Sequence, residues 1–290
     1  MCIRDRHDAA DIEVFKAMFD KGMIYRGHKP VHWCKHCHTA LAEAEIEYSD
    51  ETSPSIFVRF EMTSKPVGLE NFDGPVDFII WTTTPWTIPS DQAVSLKPGA
   101  AYVAVEHDDR AEVMLEDLAP KCCEEFGWEY TPVVVDGKPY VVPAETFHHI
   151  HYKQPIFDGV EGVALLADYV GVDDGTGIVH NSPGHGVDDY FACLKEGITD
   201  ICMPVDDDGK FYTGEEFGTG GPFSGMDTDE ANPHIIEFLR ERGTLVLEKK
   251  ITHSYPHCWR CKHPVLFRAT DQWFVSMAVS YTHLTLPTIR

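Results

Sequence analysis

The chain has 290 residues, 43% hydrophobic, 24% charged and 11% aromatic, the profile of a globular protein with one large or two smaller domains. No stretch approaches the about 20 apolar residues of a membrane-spanning helix, and residues 1–10 hold no apolar signal core. With 47 acidic against 24 basic residues, the net charge of -23 argues against a DNA coat protein, because phosphate binding needs a basic field.

Along the chain, Ile12, Phe15, Phe19 and Met23 recur at spacings of three and four and predict an amphipathic helix over 11–23. Ile56, Val58, Phe60 and Met62 alternate with Phe57, Arg59 and Glu61, the pattern of a half-buried strand. Further strands are expected at 77–81, 102–106, 163–170 and 176–180, with a helix over 112–126. Asp136-Gly137 between β-branched runs predicts a tight hairpin. A short helix is expected over 188–195 and a longer one over 229–242, stopped by Gly243. The chain then returns through 245–251. Residues 1–6 and 278–290 continue none of these patterns and are expected to be foreign to the rest.

Nine cysteines without a signal segment argue against a disulfide scaffold. Four form two pairs, Cys34-Lys35-His36-Cys37 and Cys258-Trp259-Arg260-Cys261. A two-residue spacer lets both thiolates of a turn reach one ion, and two such turns complete a tetrahedral zinc site. Some 220 residues separate the pairs, so a shared metal would clamp the ends of a large insertion. Four thiolates leave no open position, which makes that role structural. Unrelated cysteines in turns are the alternative, and His36 or His38 could substitute as ligands. Cys2, Cys122, Cys123, Cys193 and Cys202 lack ligand spacing; adjacent Cys122 and Cys123 read as packing residues.

Two other segments carry polar chemistry. In Trp81-Thr82-Thr83-Thr84-Pro85-Trp86-Thr87, hydroxyls and amides follow a buried strand, suited to a substrate oxygen or to a local turn or helix cap. Between Gly175 and Tyr190 lie His180, His185, Asp188 and Asp189. These could bind a cationic amine, hold a metal, or cap the helix that follows.

Taken together, WTTTPWT, GTGIVH-x-x-PGHG-x-DDY, HSYPHCWRC and FRATDQWFVSM resemble the isoleucyl-tRNA synthetase family from about residue 11 to 277. The resemblance implies the connective insertion of a class I synthetase, which carries an editing site. It places Thr82, Thr83, Thr84 and Trp86 on the threonine-rich editing motif and His180 on the histidine that contacts the amino-acid side chain. Asp189 falls on the aspartate that anchors the substrate amine. Cys34, Cys37, Cys258 and Cys261 match a zinc site of some members. Asn181-Ser182 and Ser90-Asp91 depart from the residues common there, the first beside the pocket histidine.

Neither a HIGH-type segment nor a KMSKS-type loop occurs, so the chain is not expected to activate isoleucine; ATP and magnesium belong to the parent enzyme. The expected fold is α/β, a β-rich, barrel-like editing domain over 51–250 on a small zinc-bearing base of 31–50 and 251–270. The Rossmann catalytic domain is largely absent, with remnants at 1–30 and 271–277. Expected catalytic groups are Thr82, Thr83, Thr84 and Asp189, with Trp86, His180 and Asp189 binding substrate. The expected partner is the tRNA 3′ end bearing a valyl ester, with no DNA or membrane partner, in a cytoplasmic monomer. Lys249, Lys250 and Arg260 are candidate tRNA contacts. The competing readings are a non-catalytic tRNA-binding module and a zinc hydrolase using His180, His185 and Asp189.

Overall fold

Residues 2–276 are described in the computed structural model of the chain. The helices are α1 (Cys2–Asp20), α2 (Ala119–Phe126), α3 (Val187–Lys195) and α4 (Thr228–Glu241). The strands begin with β1 (Ile24–Cys34), β2 (Thr39–Leu41), β3 (Ile46–Glu61), β4 (Val76–Thr82) and β5 (Ala93–Leu96). Next come β6 (Ala101–His107), β7 (Arg110–Leu115), β8 (Val134–Val135), β9 (Lys138–Pro139) and β10 (Val141–Pro143). The last are β11 (His151–Lys153), β12 (Glu161–Leu166), β13 (Ile178–Asn181), β14 (Leu245–Cys258) and β15 (Leu266–Val275). Two compact units result, one of Met1–Lys29 with Ala269–Arg290, the other Pro30–Arg268. The tail expected at 278–290 lies outside the described residues. None of the described helices is long and apolar enough to cross a membrane.

In the smaller unit α1 is longer than the 11–23 pattern predicts and takes in Cys2–Arg6. Within that unit Phe15 and Phe19 meet Trp273 edge-on, at 5.9 and 6.1 Å between centroids, while Ile12 stays exposed.

The larger unit is built on two mixed sheets. Six strands run in the order β10-β6-β7-β4-β3-β14 and four in the order β11-β12-β5-β13. Most neighbours are antiparallel, but β4–β7 and β12–β5 are parallel. The barrel-like expectation is corrected here: among the described residues neither sheet closes, because β10 and β14 remain edges of one and β11 and β13 of the other. Sequence alternation marks a buried face, but closure depends on which strands end as neighbours, and that is not written in any one strand.

One core fills the space between the sheets and α4. It joins Ile56, Phe60, Phe78 and Ile80 of β3 and β4 to Val94 and Ile178 of β5 and β13. Burial of each large apolar side chain contributes about 1.5–3 kcal/mol. Helix α4 contributes Ala231, Ile235, Ile236 and Leu239, which recur on one face. Its start is fixed by Asp227, whose carboxylate accepts the N–H of Asp229 at 2.9 Å. Lys35 binds Asp227 at 2.6 Å and Asp229 at 2.8 Å, tying the cysteine turn to this helix start. Gly243, at φ 71°, ends the run in a left-handed turn.

The helix expected over 112–126 is half wrong. Residues 110–115 form β7, and only Ala119–Phe126 is helical. Glu112, at the start of that expected helix, is a fully buried strand residue whose carboxylate accepts the Nε–H of Arg59 at 2.7 Å. The hairpin is as expected: β8 pairs with β9, and Asp136 and Gly137 take φ of 50° and 78°, as a type I′ turn requires. The five cysteines without ligand spacing include Cys122, Cys123, Cys193 and Cys202, all buried as packing residues.

A long antiparallel ribbon of β3 and β14 leaves the six-stranded sheet. It is paired from Leu245↔Val58 out to Cys258↔Ile46. Its far end delivers Cys258 beside the first cysteine turn.

Candidate functional site

The four paired cysteines meet. Their Sγ atoms all lie within 4.8 Å of one another, and Cys34 and Cys261 are 3.5 Å apart. Tetrahedral zinc with bonds of about 2.3 Å would set sulfurs about 3.8 Å apart, so the donor set fits such an ion. The turns match this use: the N–H of Cys37 points at Cys34 Sγ at 3.4 Å, and His38 and Lys262 adopt left-handed backbone just past each pair. Burial works against the Cys258 thiolate, yet the amides of Cys261 and Arg260 hold its pKa down near 7. His36 packs against His263 with ring centroids 3.9 Å apart and the planes tilted by 32°, and His38 reaches Asp208 at 3.3 Å, so neither joins the sulfur cluster.

The second constellation gathers where the four-stranded sheet, the threonine turn and the far part of the ribbon, at Tyr255 and Pro256, meet. A cavity of ≈ 290 Å³ is lined by Thr82, Thr84, Trp86, His180, His185 and Asp189, among others. Thr83, predicted with its neighbours, does not line it. A larger cleft of ≈ 510 Å³ around Asp73, Asp109 and Asp136 is bordered by loops and holds no comparable set of donors.

The threonine turn is a 3-10 helix, Pro85–Ser90, entered directly from β4. Thr82 Oγ1 accepts the N–H of Thr84 at 3.1 Å, a local turn bond. The turn is also held from outside: the backbone N–H of Trp86 donates to Asn232 Oδ1 of α4 at 3.0 Å. Trp86 meets the ring of His185 edge-on at 4.7 Å.

Antiparallel pairing of β13 with β5 fixes His180 opposite Val94. The Thr87 hydroxyl donates to the carbonyl of Thr84 at 2.8 Å, so it accepts from His180 Nε2–H at 3.0 Å. That bond leaves Nδ1 facing Asp91 Oδ1 at 3.3 Å, while Asp91 Oδ2 accepts the hydroxyl of Tyr152. Both atoms are buried and neither has a hydrogen-bond partner in bonding geometry, so the histidine and the carboxylate face each other as an unbonded polar pair. Complete burial pushes Asp91 up to about 6, against the pull of His180 and Tyr152. Sequence reading marked Ser90-Asp91 only as a departure from a family pattern. Asp91 is in fact the partner of the pocket histidine.

Asp189 is the third residue of α3, and its carboxylate turns back rather than capping the helix. Oδ2 accepts the N–H of Ser182 at 3.0 Å and Oδ1 accepts the hydroxyl of Tyr169 at 3.1 Å. Tyr169 in turn accepts from Asn181 Nδ2 at 2.6 Å. This fold-back needs Gly186, where an added Cβ would sit 2.5 Å from Asp189 Oδ2. Burial raises the Asp189 pKa, opposed by His180 and by its two donors. Ser90 and Ser182, two of the departing residues, are hydrogen-bonded to each other.

The metal alternative for His180, His185 and Asp189 fails geometrically. Among the described residues two groups bring three or more ligand atoms within 4.8 Å, the four cysteines and His148–His149–Glu196. His185 instead donates through Nδ1 to the carbonyl of Phe267 at 2.8 Å, and burial lowers its pKa to about 4. Of the candidate tRNA contacts, Lys249 is paired with Glu125, whereas Lys250 and Arg260 are exposed.

Residues 1–285 match the model of the class I tRNA synthetases (I, L, M and V). The isoleucine--tRNA ligase of Nitratidesulfovibrio vulgaris strain Miyazaki F is 46% identical over 88% of this chain, which covers 26% of that protein. The isoleucine--tRNA ligase of Fervidobacterium pennivorans is 44% identical over 92% of the chain, covering 27% of that protein. The chain thus spans about a quarter of the length of these relatives. Among solved structures, GlLeuRS-CP1 matches 67% of this chain and 99% of its own at TM-score 0.51 and 15% identity. The P.knowlesi cytosolic leucyl-tRNA synthetase editing domain matches 68% of this chain and 96% of its own at TM-score 0.50 and 10% identity. These last two speak for the fold alone. With the match to the family model running through nearly the whole chain, this protein belongs to the class I tRNA synthetases of the I, L, M and V group.

Proposed function

We propose that this segment hydrolyses the ester of valyl-tRNA specific for isoleucine and makes no aminoacyl adenylate. The observation that carries the reading is the convergence of Thr82, Thr84, Trp86, His180 and Asp189 on one small cavity. One methylene is worth only about 1–3 kcal/mol of discrimination, a limit for which isoleucine against valine is the standard case. A second pocket that admits only the smaller ester removes the errors.

The substrate brings a cationic amine, an ester carbonyl and a branched side chain. Asp189 pairs with the amine, and its bonds to Ser182 and Tyr169 fix the carboxylate. The side chain lies toward His180. The hydroxyls and amides of Thr82 and Thr84 orient the ester and the terminal ribose, with Thr83 supporting the turn. Water attacks the carbonyl carbon; the C–O bond breaks, giving valine and a free ribose hydroxyl. Zinc on Cys34, Cys37, Cys258 and Cys261 fastens the ribbon to the base and takes no part in the reaction. Isoleucine activation, with its ATP and magnesium, belongs to other parts of a longer, cytoplasmic, monomeric enzyme. The tRNA 3′ end is the only part of the tRNA that must enter here.

A non-hydrolysable 3′-valylamido analogue of the terminal adenosine tests the site. Its addition should shift the ring resonances of His180 and leave those of His234, on the exposed face of α4, in place. Unmoved His180 resonances at saturating analogue would refute the assignment of this pocket.

A further inference from the structure

We propose that His148, His149 and Glu196 form a divalent-metal site of the zinc type, separate from the thiolate cluster and from the hydrolytic pocket. The two histidines follow the 3-10 turn Ala144–Phe147, and Glu196 is the residue that closes the C-terminal end of α3. Their Nε2 atoms address one oxygen: His148 lies 3.5 Å and His149 3.2 Å from Glu196 Oε2. All three donor atoms lie within 4.8 Å of one another. Bonds of about 2.0–2.2 Å at tetrahedral angles place ligand atoms about 3.3–3.6 Å apart. The two measured edges agree with that spacing.

Two further observations favour an ion over simple hydrogen bonding. Nε2 of His148 is shielded from solvent and has no hydrogen-bond partner, although it points at the carboxylate. A buried polar atom left so costs free energy, and an ion between the three groups would use its lone pair. His149 holds a left-handed backbone, φ 66°, that a non-glycine residue takes up at a cost. Its N–H is fixed on the carbonyl of Ala164 at 2.8 Å. This strain turns the second of two adjacent side chains to the same side as the first, with ring centroids 3.8 Å apart. Neutral imidazole and carboxylate are the donor set of borderline divalent ions. Three protein ligands leave a fourth position for water. Bound there, the ion staples the C-terminal end of α3, whose first turn carries Asp189, to the segment that precedes β11.

The test is Zn²⁺ uptake measured against a chromophoric chelator, with Co²⁺ absorption as the spectroscopic readout. His149 is 64% exposed, so His149→Ala should leave the fold intact. The parent and the control His234→Ala should bind one more equivalent than either His149→Ala or Glu196→Gln. Co²⁺ in that extra equivalent should show d–d bands without a thiolate charge-transfer band. Equal stoichiometry in parent and both variants overturns the proposal, as does a thiolate band on the extra equivalent. Because the readout is a difference between parent and variant, it stands whether or not the cysteine cluster is loaded, and whether or not the pocket hydrolyses esters.

Discussion

Replacing Asp189 with Asn should abolish most ester hydrolysis without destabilising the fold. At about 3 Å and an effective dielectric near 20, a carboxylate and an ammonium attract by about 5 kcal/mol. Loss of one partner from such a desolvated pair costs on the order of 2–5 kcal/mol. That is a slowing of roughly 30-fold to several thousandfold. Stability should move the other way. Burial raises the folded-state pKa of Asp189, so its contribution is fully present below the unfolded value, about 3.9, and is lost as pH rises through the raised value. At neutral pH the ionised carboxylate is then a net cost, and Asp189→Asn should melt at or above the parent temperature. A helix-capping role predicts the reverse, a loss of about 1 kcal/mol with hydrolysis retained. Gly186→Ala supplies an independent perturbation: φ is -145°, open to alanine, but its Cβ would displace Oδ2. It should slow hydrolysis, and combining it with Asp189→Asn should add little, since both remove one anchor. Deacylation of valyl-tRNA by rapid filtration, with calorimetry alongside, decides the matter. An Asp189→Asn variant that melts early and hydrolyses at the parent rate refutes the anchor.

Other outcomes follow from the same geometry. His185 is held neutral by burial, with a pKa near 4; its stabilisation is complete above the unfolded value of about 6.5 and lost as pH falls from there toward 4, at most about 3 kcal/mol. His185→Gln should remove that part of the pH dependence in urea titrations between pH 4 and 6.5; an unchanged slope contradicts it. Asn232→Ala frees the buried N–H of Trp86 and should cost about 1–3 kcal/mol in chemical denaturation, while slowing hydrolysis by loosening the threonine turn. Stripping metal with a strong chelator should lower the melting temperature and expose the Cys34 and Cys258 thiols to a thiol reagent, with no fast loss of turnover at temperatures where the fold persists.

The parts of this molecule legible in its sequence are those coded locally. The Asp136-Gly137 turn was readable because its two φ angles above zero exclude most residues. The cysteine pairs were readable because a two-residue spacer sets both thiols of a turn side by side, as a shared ion would need. Strand β3 was seen only from Ile56 onward, because its first ten residues form a ribbon with few buried side chains and show no apolar alternation. The partners that tune the site were invisible for another reason. Asp91 meets His180, Asn232 meets Trp86, and Tyr169 meets Asp189 only through tertiary folding. Each is an ordinary polar residue in its own segment. Thr83 shows the opposite limit: a motif names three neighbours alike, yet the turn after β4 brings only Thr82 and Thr84 to the cavity wall.

Whether the pocket hydrolyses the smaller of two esters is decided by one comparison. The chain is incubated with valyl-tRNA and with isoleucyl-tRNA, both on the tRNA specific for isoleucine, and the two deacylation rates are measured. Rapid loss of valine, slow loss of isoleucine, and a difference that disappears in Asp189→Asn are expected. Equal rates for both esters, or no hydrolysis of either by a folded chain that still binds the valylamido analogue, would contradict this expectation.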